Sequence, residues 1–117
     1  MSTARDSRPS PALRPDLAPD WLRPLLAGTR TLRPGQIGTQ RIPPPVSGGR
    51  RAAVLIAFGE GQHGPDLLLV ERAATLRDHA GQVAFPGGSA DPQDADAVAT
   101  ALREAEEETG LDPSGVV

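Results

Sequence analysis

The 117-residue chain contains no cysteine, so it can hold neither a disulfide nor a thiolate metal site. That absence fits a reducing, intracellular setting, and a cytoplasmic location is expected. Lysine, asparagine and tyrosine are also missing, and all twelve basic residues are arginine. Those three share AT-rich codons, which points to a GC-rich coding background. Aromatics are reduced to one Trp and two Phe. No apolar run approaches the ~18–20 residues that span a bilayer, and the N-terminus lacks the apolar stretch of a secretory signal. No membrane partner is expected.

The charge that is present is unevenly placed. Residues 1–51 carry nine arginines against Asp6, Asp16 and Asp20, whereas residues 52–117 carry Arg72, Arg77 and Arg103 against twelve acids. The basic half is Pro-rich and almost without aromatics. A nucleic-acid binder usually interleaves aromatics with its basic patch, so a solvated arm is expected here and no nucleic-acid partner. Residues 1–17 read as disordered. Within Pro19–Gly28, Trp21, Leu22, Leu25 and Leu26 keep helical spacing. Asp20 is placed to cap this helix near residues 20–27, Pro24 falls in its first turn, and Gly28 would stop it. Residues 29–50 read as a loop ending in Pro43-Pro44-Pro45, which favours polyproline geometry.

The expected division is an arm over residues 1–50 and a folded domain over 51–117. Ala52–Phe58 is a near-continuous apolar run, as in a strand covered on both faces, and Leu67–Val70 reads as a second buried strand. The two could pair as a hairpin across a long Gly59–Asp66 loop. Val83–Phe85 is a short strand, ended by Pro86-Gly87-Gly88. Asp94 or Asp96 then caps a helix running to about Thr109, with Ala97, Val98, Ala101, Leu102 and Ala105 as its apolar face. Gly110 stops it, and Val116-Val117 reads as the start of another strand.

On that helix Glu104, Glu107 and Glu108 share one face at i, i+3, i+4. Like charges at this spacing repel, and acids in the last turn oppose the helix dipole; each penalty is roughly a few tenths of a kcal/mol to 1 kcal/mol. A hard divalent cation, Mg²⁺ or Mn²⁺, would relieve both. Taken alone, Glu106-Glu107-Glu108 would more often be a solvated face.

The residues around it change that balance. Arg103-Glu104-Ala105-Glu106-Glu107-Glu108-Thr109-Gly110-Leu111 resembles the second half of the Nudix box, G-x5-E-x7-R-E-U-x-E-E-x-G-U, where U is bulky and apolar. The first half departs: with Gly88 as the box glycine, the acid is Asp94 and the loop to Arg103 is one residue longer. Upstream, Leu68-Leu69-Val70-Glu71-Arg72-Ala73, Arg77, Gly81 and Phe85-Pro86-Gly87-Gly88 resemble the signature of the coenzyme A pyrophosphatase branch, L-L-T-x-R-[SA]-x3-R-x3-G-x3-F-P-G-G. Val70 in place of Thr is the one departure.

The resemblance implies an α/β/α sandwich with a mixed sheet. It implies Mg²⁺- or Mn²⁺-dependent hydrolysis of the coenzyme A pyrophosphate to 3′,5′-ADP and 4′-phosphopantetheine. By the same resemblance Glu104, Glu107 and Glu108 bind the metal, with one of them or a residue outside this chain as general base. Arg103 would position a helix carboxylate by a bidentate pair. Gly87 and Gly88 would border the substrate, Gly88 by close backbone approach. Asp94 is open between a ligand and a capping role. Arg72 and Arg77 are open between binding the phosphates of coenzyme A and surface pairing with Glu71 or Asp78; His79 and Gln82 lie in the same segment. Two alternatives stand beside this reading: an inactive remnant, and a Nudix hydrolase for another nucleoside diphosphate such as ADP-ribose. The strands and helix that follow the box in such a fold are not present, so the chain reads as truncated, with strand edges and apolar surface left open.

Overall fold

The computed structural model describes residues 10–33, 49–71, 73 and 81–117. They group into two units, one of residues 10–11 and 50–114 and the other of residues 12–33, 49 and 115–117. Arg50 begins the longer segment of the larger unit. The Pro43–Pro45 stretch, Arg72, Arg77 and His79 lie outside the described residues.

The smaller unit is helical. A 3-10 turn over Pro15–Leu17 and a second over Asp20–Leu22 lead into α1, Arg23–Thr31. Residues 10–17, expected to lack structure, thus hold one such turn, closed by Leu17 N–H donating to Arg14 O at 2.9 Å. Pro24 does sit in the first turn of α1. Asp20 makes no capping bond; it pairs instead with Arg23 at 3.2 Å. Gly28 does not end the helix, which continues to Thr31. A single Gly inside a helix costs only about 1 kcal/mol, and nothing in the next three residues forbids helical dihedrals.

Among its described residues the larger unit carries six short strands in three antiparallel ladders. β1 (Ala52–Val54) pairs with β6 (Gly87–Ser89), β2 (Phe58–Gly61) with β3 (Gly64–Leu67), and β4 (Val70–Glu71) with β5 (Val83–Ala84). The expected α/β content is there, and all the pairings described are antiparallel. The apolar run Ala52–Phe58 is divided between β1 and β2. The Gly59–Asp66 loop is mostly ladder: Gly59 pairs with Asp66, Glu60 with Pro65 and Gly61 with Gly64, leaving a two-residue turn at Gln62-His63. Gly64 takes φ 105°, which a tight turn tolerates in glycine. β5 stops just before Phe85-Pro86, within a residue of what was expected, but Gly87 and Gly88 also open a strand of their own, opposite Val54 and Ala53. Val116-Val117 forms no strand.

Helix α2, Ala97–Thr109, packs on β1 and β6. Asp96 is its cap: the backbone is extended and the carboxylate accepts from Ala99 N–H at 2.9 Å. Gly110 at φ 75° closes the other end, its N–H donating to Glu106 O at 2.9 Å. The buried face is Ala99, Thr100, Ala101, Leu102 and Ala105, with Ala97 exposed. These small residues let the helix approach the ladder closely. The expectation that the strands are covered on both faces is corrected: Val54 is 61% exposed, and Ile56, Leu69 and Val83 are similarly open. Helix α2 packs on the β1–β6 ladder.

Candidate active site

The close packing of α2 against β6 brings the box glycine, Gly88, to Glu104. A Cβ built on Gly88 would lie 2.6 Å from the Glu104 carboxyl carbon and 2.7 Å from Oε1. Only hydrogen fits there, so the backbone of β6 and a part-buried carboxylate share one small volume. Gly87 is excluded from carrying a side chain for another reason: its Cβ would lie 2.5 Å from Ala53 O, inside the β1–β6 ladder.

Arg103 joins the elements of the site. Its guanidinium faces Asp94 with one edge: Nε donates to Oδ1 at 3.1 Å and Nη2 to Oδ2 at 3.1 Å. Nη2 also donates to Ser89 O at 3.0 Å, which ties it to β6. The remaining nitrogen, Nη1, donates to Glu104 Oε1 at 3.1 Å and to Glu107 Oε2 at 3.3 Å. The bidentate pair expected between Arg103 and a helix carboxylate is therefore made to Asp94, in the loop before the helix. Glu104 takes a single contact from Nη1, and Glu107 takes longer ones on both oxygens, at 3.4 and 3.3 Å.

Asp94 is fully engaged. Besides Arg103, its Oδ2 accepts from Thr100 Oγ1 at 2.9 Å and from Asp91 N–H at 2.9 Å. Its side chain is 1% exposed and that of Arg103 12%. The Arg103 hydrogen bonds hold the Asp94 carboxyl well below the usual range, at about 2, against the opposing effect of burial. Arg103 is correspondingly pushed up by Asp94 and then Glu104. So Asp94 is not the helix cap, which is Asp96, and both of its oxygens accept from Arg103. The sequence signal for this was the Asp at the box's first acidic position. The Thr100 contact had no such signal, because a Thr among alanines reads as one more buried small residue.

The three glutamates assigned by resemblance remain on one side of α2. Glu104 is part-buried, and Glu107 and Glu108 are exposed. Among the described residues no three acidic side chains converge as a ready metal cage. Arg103 stands between Glu104 and Glu107 instead. The donor set nevertheless fits Mg²⁺ or Mn²⁺: it offers only hard carboxylate oxygens, on successive turns of a well-capped helix, beside a backbone strand stripped of side chains at Gly88. A cleft of about 650 Å³ beside it is lined by Arg103, Glu106, Glu107, Leu102 and Pro113. A second, of about 860 Å³, opens on the other side of the box loop between Arg50, Arg51, Asp91 and Thr100. No helix among the described residues is long and apolar enough to cross a membrane.

Comparison with known proteins gives the family. Residues 49–117 match the model of the NUDIX domain. The chain is 55% identical over 75 residues to a Photorhabdus laumondii protein named as an uncharacterized Nudix hydrolase, NudL, a match covering 61% of this chain and 40% of that protein. It is 58% identical over 67 residues to the Escherichia coli K12 protein of the same name, covering 57% and 34%. The Cronobacter sakazakii counterpart is 57% identical over the same length. The match spans well under half the length of these relatives. With the domain model covering more than half of the chain, and the box glycine, arginine and glutamates brought together in space, the chain belongs to the Nudix family.

Proposed function

We propose that this chain carries the catalytic helix of a Mg²⁺- or Mn²⁺-dependent hydrolase that splits the pyrophosphate of coenzyme A or its thioesters. The observation that carries the hydrolase reading is the Gly88–Glu104 approach, with Arg103 linking Glu104 and Glu107 to the box loop. The relatives' name, Nudix hydrolase, supports the same class. The coenzyme A substrate rests on the resemblance of residues 68–88 to the pyrophosphatase signature.

A pyrophosphate concentrates negative charge that repels both water's lone pairs and acidic side chains. A bound divalent ion supplies the charge neutralisation and the lowered pKa of a water. Glu104, Glu107 and Glu108 would hold the ion. Arg103 orients Glu104 and Glu107, and Gly88 lets a phosphate or the ion come up to the β6 backbone. Arg72 and Arg77 would pair with the phosphates of coenzyme A, and Gly87 keeps β6 seated on β1. The test is incubation of the purified chain with coenzyme A and Mg²⁺, followed by chromatography. Release of 3′,5′-ADP, abolished in Glu107→Gln, supports the proposal; no release from a folded sample overturns it. ADP-ribose run in parallel separates coenzyme A from other nucleoside diphosphates.

The open apolar strands favour a second reading, in which the chain is an inactive remnant that folds only when further polypeptide covers Val54, Ile56, Leu69 and Val83. A cooperative thermal transition in the isolated chain decides against it.

A further inference from the structure

We propose that Thr100 is a positioning residue for the candidate site: through Asp94, its hydroxyl fixes the Arg103 guanidinium that holds Glu104 and Glu107. This rests on the reading of Arg103 as the group that orients those two carboxylates.

Thr100 is buried as a whole residue, 1% exposed, and is the polar member of a helix face otherwise made of Ala99, Ala101, Leu102 and Ala105. Packing alone does not ask for it. A Thr in a helix interior is a poorer helix former than Ala, and a buried hydroxyl costs free energy unless it finds a partner. The hydroxyl has two acceptors in reach, Asp94 Oδ2 at 2.9 Å and Asp96 O at 3.3 Å. It has one proton. The shorter contact is to an ionised carboxylate, and such charge-assisted bonds are the stronger kind, so the proton goes to Asp94.

Three groups then hold the Asp94 carboxylate in place: the Asp91 N–H, the Thr100 hydroxyl and Arg103 itself. The Asp91 N–H comes from the loop before α2, whereas Thr100 and Arg103 both stand on α2, the helix that also carries the glutamates, so the Thr100 hydroxyl is the contact from α2 that holds Asp94 independently of the guanidinium. The guanidinium is planar and rigid, so an Asp94 that fixes Nε and Nη2 also fixes where Nη1 points. Nη1 is the nitrogen on Glu104 and Glu107. Without the hydroxyl the carboxylate can turn about its last torsion, and the guanidinium edge turns with it.

The test uses the full chain and three variants: Thr100→Val, which keeps the shape and loses the hydroxyl; Thr100→Ala, which loses the hydroxyl but favours the helix; and Thr100→Ser, which keeps the hydroxyl. The direct readout is the Arg103 Nε–H resonance and its rate of exchange with water. The second is Mn²⁺ affinity by electron paramagnetic resonance. Faster Arg103 exchange and severalfold weaker Mn²⁺ binding in the Val and Ala variants, with both restored in the Ser variant, are expected. Wild-type exchange and affinity in whichever of the Val and Ala variants is folded overturn the proposal, whatever happens to the melting temperature. If the wild-type chain neither binds Mn²⁺ nor hydrolyses coenzyme A, the functional reading falls, while the Arg103 exchange rates still decide the role of Thr100.

Discussion

Gly88 and Glu104 occupy complementary halves of one contact: the hydrogen on the Gly88 Cα faces the Glu104 carboxyl, and a methyl there would sit 2.6 Å from its carbon. The obstructing atoms belong to the far end of a side chain. Gly88→Ala is therefore expected to fold, with the Glu104 carboxylate pushed aside, and to lose Mn²⁺ affinity and hydrolysis by about tenfold or more. Titration calorimetry with Mn²⁺ and the coenzyme A assay read both.

Gly87→Ala has the opposite expected outcome. Its Cβ meets backbone, Ala53 O at 2.5 Å and Val54 Cα at 2.8 Å, and backbone in a ladder cannot step aside. The β1–β6 pairing has to open, so the melting temperature should fall sharply, with overpacking costing about 1–3 kcal/mol. A Gly87→Ala chain as stable as wild type by urea denaturation contradicts this placement.

These two adjacent glycines show what was legible in the sequence. The Pro86-Gly87-Gly88 run and the Arg103–Leu111 stretch marked residues that β6 and α2 bring together, and the helix with its Gly110 stop was read to within a residue or two. Which of two aspartates caps the helix was not legible, since Asp94 and Asp96 both suit the position; burial beside Arg103 selected Asp94 for the ion pair and left Asp96 for the cap. The strands were read less well. Apolar runs mark what is able to pair, but the breaks at Leu55–Ala57 and the ladder through Gly59–Asp66 depend on cross-strand partners far along the chain, to which local pattern is blind.

Arg103→Lys tests whether charge or shape matters. A lysine carries the charge but cannot reach Asp94, Ser89 O, Glu104 and Glu107 from one rigid plane. Hydrolysis is expected to drop roughly tenfold to a hundredfold with KM little changed, a loss of about 1.4–2.7 kcal/mol in the rate step. Retention of wild-type kcat in the lysine variant contradicts the orienting role.

Removing the cap should cost stability without touching the site. Asp96 accepts from Ala99 N–H at 2.9 Å and also from the Ser10 hydroxyl. Asp96→Ala frees one of the helix's first amides and is expected to lower stability by about 1 kcal/mol, read from the urea midpoint, with Asp96→Asn or Asp96→Ser recovering most of it.

Acid sensitivity follows from Asp94. Arg103 holds its carboxyl at about 2 in the folded chain, against the ordinary 3.8. A carboxyl depressed on folding adds stability that is fully present above the unfolded value and disappears as pH falls through the folded one. The melting temperature should thus be flat in this respect above pH 4 and decline between about pH 4 and 2. Asp96, lowered by the Ser10 hydroxyl and the Ala99 amide, acts in the same direction. Asp94→Asn leaves Arg103 without its counter-charge at every pH, so this variant should be less stable at pH 7 and show a shallower fall on acidification. Parallel slopes for wild type and Asp94→Asn between pH 4 and 2 would place the acid-sensitive group elsewhere.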